Sequence, residues 1–258
     1  MKRSSAWFCF AALLACFLLS GNSFADERAQ KWEEGAGLYK SGKFAESVAV
    51  YESLLNVSKP FEKAVLYFNL GNCYYRLGQL NFAILNFERA ISLRPWYADA
   101  RYNLAAAKAK LEYKIEDKRG VFIRLNSLFL QWVNASDFIL LALLSLLVLS
   151  VSVLFWARAS QSSSFWTFPR TEMVFLSVLF IVLWSSKLFY ERNYQEGIVI
   201  AKEAEVRYGP SLDNQSLMKL GGGLKVFIVD ERDDWSRVVT WNGETGWIRN
   251  SEIGKVRT

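Results

Sequence analysis

Residues 64–95 run AVLYFNLGNCYYRLGQLNFAILNFERAISLRP, and their spacing organises the whole N-terminal part of the chain. Tyr67, Leu70, Gly71, Tyr74, Ala83, Phe87, Ala90 and Pro95 fall at positions 4, 7, 8, 11, 20, 24, 27 and 32 of a 34-residue helix-turn-helix unit that starts at Ala64. Each position has a physical reason. Gly71 and Ala83 are small where two helices cross closely, and the aromatic residues with Leu70 fill the space between helices. Pro95 ends the second helix, because proline has no N–H to offer the next turn.

The neighbouring sequence repeats this unit less fully. Upstream, Gly35 precedes Gly71 by 36 residues, with Tyr39, Gly42, Phe44 and Tyr51 in support, and Ser47 stands where Ala83 stands in the second unit. The two-residue offset predicts a longer turn near Asn56–Pro60. Downstream, Leu104-Ala105 echoes Leu70-Gly71, but only one further helix fits before Lys114. The pattern resembles the tetratricopeptide repeat (TPR) family. The resemblance implies an all-α TPR domain over 26–118, with repeats at 28–61 and 64–97 and a capping helix at 98–114. Two repeats and a cap are fewer than the roughly three repeats that usually make a stable solenoid.

Proteins of this family bind peptides on the concave face made by their first helices. In this register that face holds Trp32, Tyr39, Lys40, Phe68, Asn72, Tyr75, Arg76, Tyr102 and Lys110. Lys40, Arg76 and Lys110 recur at position 13, one cation per repeat, which suits an acidic peptide or a C-terminal carboxylate. The competing reading is a solvated helix edge, since cations are favoured near helix C-termini. Asn72 and Asn103 stand where carboxylate-clamp members hold a peptide terminus, yet Phe68 replaces the clamp's lysine. Peptide binding without a true clamp is therefore expected. Cys73 reads as a small buried hydrophobe.

Three other segments concern export and the membrane. Lys2 and Arg3, the apolar run Ala6–Leu19 and Ser23-Phe24-Ala25 predict a signal peptide over 1–25, with an uncleaved anchor as the alternative. Residues 138–156, FILLALLSLLVLSVSVLFW, contain no charge over 19 positions, about 28 Å of helix. A second apolar stretch, 173–190, ends on Lys187 and Tyr190, a pair suited to the interface. Two transmembrane helices follow, joined by a cytoplasmic loop at 157–172 bearing Arg158 and Arg170. The segment 119–137 places Val121, Phe122, Leu125, Leu128, Phe129, Trp132 and Val133 on one helical face. It reads either as a last helix closing the preceding domain or as an amphipathic segment lying on the bilayer.

After residue 190 the chain turns to short alternating runs broken by turn residues. Strands are expected at 198–202, 205–208, 224–231, 235–241 and 245–249, separated by Gly209-Pro210, Gly221-Gly222-Gly223, Asp233-Asp234 and Asn242-Gly243. Val206-Arg207-Tyr208-Gly209-Pro210-Ser211, Asp234-Trp235-Ser236-Arg237-Val238 and Gly243-Glu244-Thr245-Gly246-Trp247-Ile248 occur in that order. These motifs resemble the bacterial SH3-like family, which implies an all-β SH3-like barrel over 195–258 that binds peptides or cell-wall material. Tyr208, Trp235 and Trp241 are the candidates for an aromatic groove.

Composition removes much chemistry. The 258-residue chain has no histidine, so triad, His-ligated zinc and His acid–base chemistry are excluded. Its three cysteines, Cys9, Cys16 and Cys73, have no paired spacing. Removing the two charges of Lys2 and Arg3 lowers the net charge from +6 to +4, and no dense Lys/Arg run points to nucleic acid. No cofactor, metal or catalytic residue is expected. The order of signal, TPR units, two membrane spans and SH3-like domain resembles the BatE-type family of the bacterial aerotolerance (Bat) operon. That resemblance implies an inner-membrane protein with both domains in the periplasm. It also implies partners of the von Willebrand A-domain class and, indirectly, a MoxR-type ATPase. Three readings stand together: a non-enzymatic scaffold, a tether to peptidoglycan peptides, and an enzyme using carboxylates or an activated Ser/Lys.

Overall fold

The computed structural model describes residues 27–56, 58–111 and 195–257, with scattered positions and short runs between 140 and 188. The signal peptide (1–25), the amphipathic segment (119–137) and the loop (157–172) lie outside the described residues. So do most positions of the expected spans 138–156 and 173–190. Where positions in those two stretches are described they are helical, and Leu140, Leu143, Leu147, Phe175, Val178 and Val182 among them are exposed. Among the described residues no helix is long and apolar enough to cross a membrane. The chain divides into two compact units, one helical and one built of strands.

The helical unit has five described helices: α1 (27–40), α2 (Phe44–Leu55), α3 (Pro60–Arg76), α4 (Leu80–Leu93) and α5 (Ala98–Ala109). The turns inside both helix pairs are the same. Gly42 N–H donates to Tyr39 O and Lys43 N–H to Leu38 O; Gly78 N–H donates to Tyr75 O and Gln79 N–H to Tyr74 O. Gly42 and Gly78 take φ of +80° and +76°, the left-handed conformation that closes a helix C-terminus most cheaply with glycine.

The crossing points also repeat. A Cβ built on Gly35 would lie 2.7 Å from the Tyr51 ring, and one on Gly71 would lie 2.5 Å from the Phe87 ring. In each pair, the first helix therefore lays its backbone directly on an aromatic ring of the second. Ser47, at the position of Ala83, is fully buried and donates its hydroxyl to Gly35 O at 2.8 Å. It also accepts from Cys73 Sγ at 3.4 Å, so one hydroxyl links α1, α2 and α3. Val48, Tyr51, Leu54, Leu66, Tyr67, Leu70, Cys73, Ala90, Ile91 and Ala100 form one core across both repeats and α5.

The two-residue offset arises differently from the longer turn expected. The connections at 56–59 and 94–97 have the same length, and the difference lies in the helices. α3 starts at Pro60, one turn before Ala64, whereas α5 starts at Ala98, the position equivalent to Ala64. α2 is two residues shorter than α4, 12 against 14. Pro60 at the first position and Glu62 accepting from Lys59 N–H at 3.1 Å nucleate the added turn.

The strand unit is an antiparallel sheet of seven strands: β1 (Gln195–Val199), β2 (Glu203–Arg207), β3 (Ser216–Gly221), β4 (Lys225–Arg232), β5 (Trp235–Val239), β6 (Thr245–Arg249) and β7 (Ile253–Lys255). Their order is β3-β2-β6-β5-β4-β1-β7. The expected barrel is corrected here: β3 pairs only with β2 and β7 only with β1, so the hydrogen-bonded ring stays open. The sheet still curls, because Leu220 of β3 and Ile253 of β7 meet Val206, Val226, Val238 and Ile248 in one core. Gly246 lies under this curl, where a Cβ would stand 2.3 Å from Val206 and 2.9 Å from the Arg207 carbonyl. Strands β3 and β7 were not expected. Lys219 interrupts the apolar run of β3, and β7 has only three residues.

Two glycines, Gly71 on α3 and Gly37 on α1, separate close packing from helix propensity. Gly71→Ala is expected to destabilise the helical unit by about 1–3 kcal/mol, because the methyl must displace the Phe87 ring. Gly37, with nothing within 4 Å of its added Cβ, should instead gain about 0.5–1 kcal/mol on replacement by Ala. Urea unfolding of the two variants, followed by helical circular dichroism, should give shifts of opposite sign.

Candidate functional site

The expected groove residues separate into a packed group and an accessible group. Trp32, Tyr39 and Phe68 pack against the helical core. Trp32 meets the Tyr51 ring edge-on at 6.0 Å and Tyr39 meets Phe44 at 5.3 Å. Phe68 lies between Phe87, at 6.1 Å, and Tyr97, at 4.9 Å. These three rings hold helices together, and the position where clamp members carry a lysine is filled here by a core aromatic.

The accessible group centres on α3 and α5. Asn103 Nδ2 donates to Asn72 Oδ1 at 2.7 Å, tying α5 to α3 across the groove. One turn further along, Lys110 places its ammonium 4.3 Å from the centre of the Tyr75 ring. Arg76 lies 4.8 Å over the Phe44 ring, so both cations rest on aromatic faces belonging to neighbouring helices. Lys40 is exposed, and Tyr102 is 77% exposed on α5. The structure thus brings together Asn72, Tyr75, Asn103 and Lys110, and places Arg76 beside Phe44.

This geometry has a definite chemical capacity. The Asn72–Asn103 bond leaves the Asn72 amide N–H₂ and the Asn103 carbonyl for an outside partner, and these match the two polar groups of an extended peptide backbone. Among the described residues Lys110 and Arg76 meet aromatic rings and no carboxylate, so their charge is available there to an acidic group. Phe44 was missed as a site residue. The signal was its place on the helix before Arg76, which only the packing of α2 on α3 makes near.

Outside the groove, α4 and α5 share a charged contact. Lys108 Nζ meets Glu88 Oε1 at 2.8 Å, with Glu88 buried. The ionisable groups of the core are shifted by burial. Desolvation pushes the Cys73 thiol above its ordinary range, against the opposing pull of the Ser47 hydrogen bond. Tyr74 donates to Glu52 Oε1 at 3.0 Å, and burial followed by the Glu52 charge pushes its phenol up to about 12. Among the described residues no three His, Cys, Asp or Glu side chains are grouped to hold a metal.

The three aromatic candidates of the strand unit do not form one groove. Trp235 stands at the β4–β5 turn and Trp241 in the β5–β6 turn, at opposite ends of β5. The extended strand β5, about 13 Å from Trp235 to Val239, separates them. Tyr208 is 64% exposed in the loop after β2, and Arg207 beside it pairs with Trp247. Antiparallel pairing carries Tyr208 toward Gly246 and away from the Trp235 end. Trp235 is half-buried with the Arg249 guanidinium 5.8 Å over its ring, and Trp247 is buried under Arg232 at 5.2 Å. Arg232 and Arg249 were not anticipated, because cross-strand register alone sets them on these rings.

Comparison with known families agrees with both units. A tetratricopeptide repeat model matches residues 64–97, and a bacterial SH3 domain model matches residues 201–255. No curated protein matches the chain. The chain therefore combines a TPR unit with a bacterial SH3 unit, and both kinds of module indicate binding of proteins or of peptidoglycan peptides.

The raised phenol of Tyr74 predicts a pH dependence. A folded-state value above the unfolded one means that the native state holds the proton more tightly, so stability is intact below pH 10 and falls as pH rises toward about 12. Urea unfolding of the helical unit between pH 9 and pH 12 should show this decline, and Tyr74→Phe should make it shallower.

Proposed function

We propose that the chain is a non-enzymatic, membrane-anchored scaffold of the BatE type, which gathers protein partners through its TPR and SH3-like units. Residues 1–25 direct export, 138–156 and 173–190 cross the bacterial inner membrane, and 157–172 stays in the cytoplasm. Both units then face the periplasm. The observation that carries the binding role is the α3–α5 groove, where the Asn72–Asn103 pair lies beside two ring-seated cations, Arg76 and Lys110. The membrane role is supported by the uncharged stretch 138–156 and by the exposed apolar side chains at its described helical positions.

The ligand of the groove is an extended acidic segment of a protein partner. Asparagine amides hold its backbone while the position-13 cations meet its carboxylates. Partners of the von Willebrand A-domain class, and through them a MoxR-type ATPase, are the assembly this reading names. Its physiological setting is aerotolerance or envelope stress. A second reading follows from the bacterial SH3 match over 201–255: the strand unit tethers the protein to peptidoglycan peptides.

A mild-detergent pull-down of the tagged full chain from its own membranes discriminates these readings. It is run beside a Lys40→Glu, Arg76→Glu, Lys110→Glu variant with an unchanged helical melt. The scaffold reading expects recovery of A-domain proteins with the native chain and at least a tenfold loss with the variant. Recovery of cell-wall fragments without any protein partner would overturn it in favour of the tether.

A further inference from the structure

The outer face of the strand unit carries four arginines and two tryptophans in one block. Side chains alternate across a sheet, and the buried Val206, Ser236, Val238 and Ile248 turn their neighbours outward. Register then sets Trp235 opposite both Arg232 and Arg249, and Trp247 opposite both Arg237 and Arg207. Two of the arginines are answered by carboxylates: Arg207 by Glu205, and Arg232 by Asp230 at 3.3 Å. Arg237 and Arg249 form no ion pair among the described residues, although the Glu252 carboxylate lies near Arg249. Asp233 and Asp234, exposed in the β4–β5 turn, bound the face on that side.

At the Gly246 side of this block, next to the row Arg207–Trp247–Arg237 and away from Trp235, the loop after β2 presents apolar side chains to solvent. Arg207 Nη1 donates to Leu212 O at 2.8 Å and to Asn214 O at 2.7 Å, which pins the loop against the sheet. The pinned loop leaves Tyr208 64% and Leu212 56% exposed. An acidic peptide asks only for cations. Cations adjoining a fixed loop with an outward tyrosine and leucine fit a layered ligand, with phosphates at the surface and hydrocarbon beneath.

The chain supplies the proximity. The apolar stretch 173–190 ends five steps before Gln195, at most about 17 Å of extended chain. If that stretch is anchored, a weak surface contact becomes an intramolecular one at high effective concentration. We infer that Arg237, Arg249 and Trp235, with the Tyr208–Leu212 loop, rest on the headgroups of anionic phospholipids, so that the SH3-like unit docks onto the bilayer that holds its anchor. This inference rests on the membrane anchoring proposed above.

The test uses the full chain in vesicles of phosphatidylcholine, with or without phosphatidylglycerol, and hydroxyl-radical footprinting. The exposed Trp96 of the helical unit serves as the internal reference. Phosphatidylglycerol is expected to slow oxidation of the Tyr208 and Trp235 peptides about threefold. The effect should vanish at about 0.5 M salt, where the Debye length shrinks to a few ångströms. It should vanish also in Arg237→Glu, Arg249→Glu, but persist in the charge-matched Lys63→Glu, Lys202→Glu. Equal oxidation in both lipids, with the chain retained through alkaline carbonate, overturns the docking face and leaves the anchor standing. Release by carbonate from both lipids overturns the anchor. Salt-sensitive flotation of that released chain with phosphatidylglycerol alone would then still support the face, and its absence would overturn it. Equal protection by soluble poly-glutamate would also overturn the lipid assignment, in favour of an acidic protein.

Discussion

The helical unit depends on two places where a helix backbone lies on an aromatic ring, Gly35 on Tyr51 and Gly71 on Phe87. Without a side chain at the crossing, the helices of a pair approach closely enough for Tyr67, Leu70 and Ile91 to share one core. With α3 and α4 packed in this way, the chain returns through α5, where Asn103 comes within hydrogen-bond distance of Asn72 on α3. Ser47 shows the tolerance of this arrangement, because its buried hydroxyl replaces a methyl contact by bonds to Gly35 and Cys73.

Three of the aromatic residues expected in the peptide groove are used in packing. Trp32, Tyr39 and Phe68 seal helix to helix, and they help a short solenoid reach a sufficient core. What stays available are polar groups held in place by those rings: two amides and the cations above Phe44 and Tyr75. Such a site would select charge and backbone more than side-chain shape. In the strand unit the same side-chain types are arranged by register, with arginines on both tryptophans of the outer face. The common device is a guanidinium or ammonium kept extended by a ring and so spared the entropy of an unsupported chain.

Much of the fold was legible in the chain because its signals are local. The spacing of Gly, Ala and aromatic residues over 64–95 marks a helix pair, since each position answers to a contact within the same repeat. Alternation and turn residues marked five of the strands. The extra turn of α3 was misassigned to a loop, because an inserted turn and a longer connection shift the register equally. Strand β3 escaped because its pattern is that of an edge strand, and the open sheet escaped because pairing between strands far apart in sequence leaves no local trace.

The candidate sites divide along the same line. Sequence alone determined the repeat, the absence of histidine chemistry, the uncharged stretches and the one cation per repeat, all of which are properties of residue type and spacing. Only tertiary structure decided which of those residues are spent on packing, that Phe44 lies under Arg76, and that Arg249 and Arg232 rest on Trp235 and Trp247. The reason is physical. Periodicity reports which face of an element a residue occupies, whereas a site is made where faces of different elements meet, and that depends on crossing angles and register set by the whole core.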